Sequence, residues 1–214
     1  MVKLPESQVQ TRVLAYIDGF NLYFGLKRSK WQRYYWLNLQ LLAQHLLKAD
    51  QELVFTKYFT SRISGPTEKV DRQSTFIQAL ETLDDVQVYY GKYIALPRKC
   101  RRCGYKDLVQ NEKMTDVNIA VEMMSDAFED RFDAALLISG DSDLVGPIQS
   151  VKRFFPDKRV VVAFTPQTFS SELTKHAHAY FTIGRANLAK SIFPIEVQKG
   201  DGYILRCPER WLNR

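Results

Sequence analysis

Arg12-Val13-Leu14-Ala15-Tyr16-Ile17, closed by Asp18-Gly19, decides the fold class. The run is mostly apolar and has no helical stripe, so it suits a strand buried on both faces, as in a parallel sheet covered by helices. The same alternation continues along the chain. Trp36, Leu39, Ala43 and Leu46 recur at helical spacing with Asn38 placed as a cap, and Leu53-Val54-Phe55-Thr56-Lys57-Tyr58-Phe59 is rich in β-formers. Ser64-Gly65-Pro66-Thr67 breaks the chain before a helix predicted over Glu68 to Leu83, and Val86-Gln87-Val88-Tyr89-Tyr90 supplies a third strand. Val117, Ala120, Val121, Met124 and Phe128 mark one face of the next helix, with Glu122 on the opposite, solvated face. Ala134-Ala135-Leu136-Leu137-Ile138 is a fourth strand and Arg159 to Phe164 a fifth, separated by a helix over Asp143 to Phe154. A terminal helix follows near Ser170 to His176. Strands alternating with helices imply right-handed crossovers and a mainly parallel central sheet, an α/β fold.

Residues 91–113 interrupt the alternation with many basic residues, Pro97, Cys100, Cys103 and Gly104, and read as an inserted hairpin. The expected organisation is one domain over 12–190 carrying that insert, with 191–214 as an extension packed on it. Two full domains are cramped in 214 residues. A hydrophobic fraction of 45% with 25% charged residues argues against disorder, and a net charge of +6 favours a polyanionic partner. No stretch approaches the roughly 20 apolar residues of a membrane-spanning helix, and Met1 to Arg12 lacks the apolar core of a signal peptide. The expected location is therefore the cytoplasm, where three cysteines read as reduced thiols or metal ligands and not as a disulfide framework.

In parallel sheets, ligands bind beyond the carboxyl ends of the strands, where the strand order reverses. Asp18 follows the first strand, and Asp141 and Asp143 follow the fourth in Ser139-Gly140-Asp141-Ser142-Asp143. If those strands are neighbours, the carboxylates converge, and Asp116 joins them from the start of its helix. Carboxylates so close repel one another unless a divalent cation neutralises them, and an all-oxygen set suits Mg²⁺ or Mn²⁺. Such an ion activates water and stabilises a phosphodiester under attack. Asn21 can supply a neutral oxygen or orient a metal-bound water. The competing reading makes Asp141, Ser142 and Asp116 helix caps or first-turn acids only.

Tyr16-Ile17-Asp18-Gly19-Phe20-Asn21-Leu22-Tyr23, Glu112-Lys113-Met114-Thr115-Asp116-Val117 and Ser139-Gly140-Asp141-Ser142-Asp143 together resemble the NYN domain, a family of the PIN-like nucleases, and are similar to its LabA-like branch. The resemblance runs from about Arg12 to about Thr165. It implies a PIN-like three-layer α/β/α sandwich and metal-dependent cleavage of RNA. Asp18, Asn21, Asp116, Asp141 and Asp143 match the acidic-site positions, and Ser139 matches a small polar residue beside them. This chain has Lys113-Met114-Thr115-Asp116 where relatives often carry Lys-Gly-Val-Asp, so its helix is expected to start differently. A homodimer is also in keeping with the resemblance.

Between Lys27 and Trp36, cations alternate with aromatics. Lys27, Arg28, Lys30 and Arg33 suit phosphates, and Tyr34 suits stacking on an unpaired base, while Trp36 reads as core. Packing under the sheet is the competing reading for these rings. Arg101 and Arg102 add charge in the insert. Cys100 and Cys103 have the spacing of half a zinc site, for which Cys207, His176 and His178 are the remaining ligand types, though nothing in the sequence brings them near. The leading expectation is a Mg²⁺- or Mn²⁺-dependent endoribonuclease acting on single-stranded RNA. The alternatives are an RNA-binding or regulatory adaptor without turnover and, using the same metal chemistry, a small-molecule phosphatase.

Overall fold

The computed structural model describes residues 10–99 and 102–212, with side chains left out of the description along 93–99 and 107–113. Its elements run β1 (Thr11–Asp18), α1 (Gly19–Arg28), a 3₁₀ turn (Gln32–Tyr35), α2 (Leu39–His45), β2 (Gln51–Thr60), α3 (Thr67–Leu80), β3 (Val86–Tyr90), β4 (Lys92–Lys99) and β5 (Lys106–Lys113). Then come α4 (Thr115–Phe128), β6 (Ala134–Ile138), a 3₁₀ turn (Ser142–Leu144), α5 (Val145–Phe154), β7 (Arg159–Phe164), α6 (Ser171–His176), β8 (Ala179–Thr182), α7 (Arg185–Lys190), β9 (Glu196–Gln198), β10 (Ile204–Arg206) and α8 (Glu209–Leu212).

Six strands form one parallel sheet in the order β3-β2-β1-β6-β7-β8. The chain winds outward from β1 through β2 and β3, then returns to β6 and winds the other way, so the order reverses between β1 and β6. Alternation of side chains along β1 divides the core. Val13, Ala15 and Ile17 pack with α1, α2, α3 and α7, while Leu14 and Tyr16 pack with α4, α5 and α6. Burial on both faces explains why the strand reads as a continuous apolar run. The result is the expected α/β/α sandwich. β8 was not foreseen: it is a four-residue edge strand, mostly exposed, too short and too wet for a hydrophobic pattern.

Asn38 caps α2, its Oδ1 accepting from the Leu41 amide at 2.8 Å. Trp36 lies before that cap and is buried with its indole N–H donating to the Pro194 carbonyl at 2.7 Å. From the C-terminal residues, Phe193, Leu205 and Cys207 enter the core on that side, and Trp211 packs against Tyr35, Trp36 and Phe76. β4 and β5 pair antiparallel in a two-stranded ladder outside the main sheet. Cys100 and Arg101, expected in its turn, lie outside the described residues.

α4 corrects the sequence reading. Its buried residues are Thr115, Ile119, Met123, Asp126 and Ala127, whereas Val117, Val121 and Phe128 stand exposed. Two apolar stripes are available on this helix, and a polar network selects the other one. Lys57 on β2, 4% exposed in its side chain, places Nζ 2.6 Å from Asp126 and 2.7 Å from Glu122. Tyr16 donates to the same Asp126 at 2.7 Å. Glu122 is thus turned onto a buried cation and is not the solvated residue expected. Burial by itself would lower the Lys57 pKa, but the hydrogen bonds to Asp126 and Glu122 outweigh it and the net direction is up. Burial first, and Asp126 second, push the Tyr16 phenol up as well.

The start of α4 carries a strained residue. Met114, at the N-cap, has φ 81°, the left-handed region that favours glycine. A side chain there costs about 1–2 kcal/mol, partly offset by the extra unfolded-chain entropy of glycine.

Three expected outcomes follow from these features. Lys57→Met leaves Glu122 without its cation and Asp126 with only the more distant Arg131, at 3.8 Å, and should lower the unfolding free energy by about 3–5 kcal/mol in urea titrations. The folded Lys57 and Tyr16 hold their protons above their ordinary 10.5 and 10.0, so their contribution is complete at lower pH and is lost as pH rises beyond those values. Wild-type stability should therefore decline more steeply than that of Lys57→Met as pH rises past about 10.5. Met114→Gly should raise stability by about 0.5–1 kcal/mol in the same titrations, an unchanged or lower midpoint contradicting the strain.

Candidate active site

β1 and β6 lie side by side with Ile17 opposite Ile138, so the residues that follow each strand emerge together. Asp18 is the last residue of β1 and the N-cap of α1. It is only 4% exposed. Its Oδ1 accepts from the Asn21 amide and its Oδ2 from the Ser139 hydroxyl, both at 2.9 Å. Asn21 adds a second link in the same direction, its Oδ1 accepting from the Gly140 amide at 3.0 Å. The two strand ends are therefore laced together by two hydrogen bonds, both donated from the residues after β6, between residues more than a hundred positions apart. The Asn21 oxygen, expected to supply a neutral donor or to orient a metal-bound water, is engaged in this lacing.

Asp141 accepts from the Asp143 amide at 3.0 Å and so caps the 3₁₀ turn, while its own amide donates to Ser139 Oγ at 3.1 Å. Capping and cleft lining coexist in this residue. Asp116 sits half-buried in the first turn of α4. A cleft of about 210 Å³ brings Asp18, Asp116 and Asp141 together with Asn21, Thr115 and Arg28, and Phe20 and Phe24 complete its lining. Asp143 is exposed and is not among the lining residues.

Among the described residues no three His, Cys, Asp or Glu side chains are grouped closely enough to hold a metal ion. The lining donors are nonetheless all oxygen, and Mg²⁺ is ordinarily bound through one or two carboxylates with retained water. The donor set therefore fits a hard cation held by Asp116 and Asp141, with Asp18 behind them. It does not form a closed cage.

α1 supplies the aromatic surface. Phe20 and Phe24 stack at 6.4 Å between ring centroids, Tyr23 meets Phe24 edge-on at 5.3 Å, and Lys27 lies over both Tyr23 and Phe24. Tyr23 and Phe24 are more than two-fifths exposed. The basic residues Lys27, Arg28, Lys30 and Arg33 are exposed as expected for phosphate contacts, and Arg102 is exposed in the insert. Tyr34 requires correction. It is buried, packs edge-on against Trp31 and accepts from Arg185 Nε at 3.2 Å, so its ring offers no face to a base. The sequence reading looked for rings at 31–36 and missed Phe20 and Phe24. Their signal was present: Phe20, Phe24 and Arg28 are spaced four residues apart on the helix that Asp18 caps.

The support behind Asn21 was also missed. Thr165, just after β7, donates from Oγ1 to the Asn21 carbonyl at 3.1 Å and contacts Thr168 Oγ1 at 2.8 Å. Gly25 lets α1 approach this loop, since a Cβ there would come within 2.7 Å of the Pro166 carbonyl oxygen.

Of the expected zinc ligands, Cys103 is exposed, and Cys100 lies outside the described residues. Cys207 is a core thiol pushed up to about 11 by burial. His178 accepts from the Val160 amide through Nδ1, and burial lowers its pKa. Both residues serve the fold.

Comparison with known proteins gives three results. The chain is 27% identical over 216 residues to 6-hydroxy-3-succinoylpyridine 3-monooxygenase HspA of Pseudomonas putida, a match covering 82% of this chain and 67% of that protein. A crystal structure of a protein of unknown function from Vibrio parahaemolyticus shares the fold, with a TM-score of 0.58 and 18% identity over 88% of this chain and 99% of the other. Among the described residues no helix is long and apolar enough to cross a membrane. The sequence model of the NYN domain matches residues 12–185, which include both strand ends, α4 and the lacing between them, and the chain belongs to the NYN domain family, with its PIN-like nuclease-type fold.

Proposed function

We propose that this protein is a divalent-metal-dependent ribonuclease, endonucleolytic on single-stranded RNA. The observation that carries the reading is the single cleft at the strand-order reversal. There three aspartates, one arginine and two phenylalanines face one another. Bound at Asp116 and Asp141, Mg²⁺ or Mn²⁺ supplies a water of lowered pKa and charge neutralisation at the phosphate. The protein's own groups do the rest. Asp18, fixed by Asn21 and Ser139, holds negative charge at the back of the cleft. Arg28 meets a backbone phosphate, and Lys27, Lys30 and Arg33 extend the basic track along and beyond α1. Phe24 and Tyr23 offer faces to bases that are not paired, which a duplex cannot use.

A second reading has its own support. Among the described residues the three cleft aspartates are not grouped closely enough to hold a metal ion together, which suits an adaptor that binds RNA in this cleft without cutting it. The Pseudomonas relative is named for a monooxygenase acting on a pyridine, and Phe20 and Phe24 are also compatible with a flat heteroaromatic ring; competition between free nucleotides, such a ring and RNA distinguishes these substrates.

With Mn²⁺, Asp141→Asn should cut labelled single-stranded RNA about 10²–10³-fold more slowly than wild type while melting at a similar temperature. Full cleavage by the variant would count against the nuclease, and unchanged binding with no cleavage by either protein would favour the adaptor. Phe24→Ala should cost about 1–3 kcal/mol of affinity for single-stranded RNA and little for duplex, as read by anisotropy. Equal losses on both would remove the stacking role.

A further inference from the structure

Arg62, just after β2, is an exposed guanidinium that the fold holds in place without giving it a carboxylate. Gln73 of α3 clamps the backbone on both sides of it. Gln73 Nε2 donates to the Ser61 carbonyl and the Ile63 amide donates to Gln73 Oε1, both at 2.9 Å. The side chain is fixed as well: its guanidinium carbon lies 4.8 Å from the centroid of the Tyr90 ring, and Nη2 donates to the Tyr90 hydroxyl at 3.0 Å. Arg12, Arg131 and Arg206 are each held by carboxylates, whereas among the described residues Arg62 forms no ion pair. A cation pinned in this way keeps a fork of donors for a phosphate and gives up little freedom on meeting one.

Strand register places the pair on the edge of the sheet where the cleft opens. Asp18 lies opposite Phe59, and Thr60 opposite Tyr90, so Tyr90 ends the strand two places from β1, about 10 Å away at the usual strand spacing. Asn118, two residues after Asp116 on α4, donates from Nδ2 to the Tyr90 carbonyl at 3.3 Å. The pair and the cleft are thus continuous along the first turn of that helix. α1 leans the other way, its Gly25 set against Thr165 and Pro166 after β7. Along the carboxyl edge the order is therefore Arg62 with Tyr90 at β2 and β3, then the aspartates around β1 and β6, then the basic track of α1 toward β7. A second stacked pair, Arg153 over Phe154 at 4.3 Å, closes α5 on the opposite edge of the sheet and has no such neighbours.

We propose that Arg62, oriented by Tyr90, holds a backbone phosphate of single-stranded RNA, so that the strand crosses the cleft from β3 toward β7 and is gripped on both sides of the aspartates. The subsite rests on the reading of the cleft as one for single-stranded RNA, though on binding alone and not on cleavage. It deepens that reading in one respect. A strand held on both sides presents an internal phosphate to the aspartates, as endonucleolytic attack requires, whereas a grip along α1 alone would serve a strand end equally well.

Anisotropy of a labelled oligouridylate with the full chain in EDTA, from about 50 to about 200 mM salt, tests it, since each neutralised phosphate of a single strand contributes about 0.7 to the slope of log K against log salt. Arg62→Gln and Lys27→Gln should each lower the slope by about 0.7 and the double variant by about 1.4, with melting temperatures unchanged. Arg153→Gln should bind as wild type. A wild type without affinity for the strand removes the RNA reading and the subsite with it. A slope lowered by Lys27→Gln but not by Arg62→Gln leaves the RNA reading standing and overturns the subsite. So does an Arg153→Gln loss equal to that of Arg62→Gln, or a double variant no different from Lys27→Gln alone.

Discussion

Asp18 is a carboxylate withdrawn from water at the end of a central strand, and the arrangement of the site depends on how that is made tolerable. An isolated buried carboxylate is costly, so it must be hydrogen-bonded or face a cation. Here the Asn21 amide and the Ser139 hydroxyl donate to the two oxygens, and the Asn21 side-chain oxygen accepts from the Gly140 amide. These partners come from two strands that are adjacent only because the sheet order reverses between them. Satisfying one residue thus locks together the two strand ends that carry the aspartates, and the cleft is a consequence of the topology.

A second buried charge positions the third contributor. Lys57 draws Glu122 and Asp126 of α4 onto the sheet, and Tyr16, two residues before Asp18, shares Asp126. The rotation of α4 about its axis is set by this pairing, and with it the direction in which Asp116 leaves the first turn. Met114 accepts a left-handed backbone at the same junction. Polar constraints therefore orient the helix that hydrophobic pattern alone leaves with two choices.

That ambiguity explains what the sequence did and did not disclose. β1 and β6 were legible because burial on both faces leaves an unbroken apolar run, and the Asn38 cap was legible because its side chain acts within its own turn. The α/β class and the family followed. α4 was misread because Val117, Val121 and Phe128 form as good a stripe as Ile119, Met123 and Ala127, and the decision lies with Lys57, some sixty positions away. Tyr34 was misjudged because aromatic and basic residues in alternation look alike whether the rings face water or the core. Phe20 and Phe24 went unnoticed although their spacing and the adjacent Asp18 placed them at the site. The lacing through Ser139 and Asn21 needed strand adjacency, which no local pattern contains.

The central claim is that Asp116 and Asp141, with Asp18 behind them, form one cation site at the reversal between β1 and β6. The most direct measurement is anomalous diffraction from crystals soaked in Mn²⁺. The account predicts a peak in the cleft at about 2.0–2.3 Å from oxygens of Asp116 or Asp141, with water completing the shell. A well-ordered cleft without a peak, or manganese bound only at other residues, would contradict it.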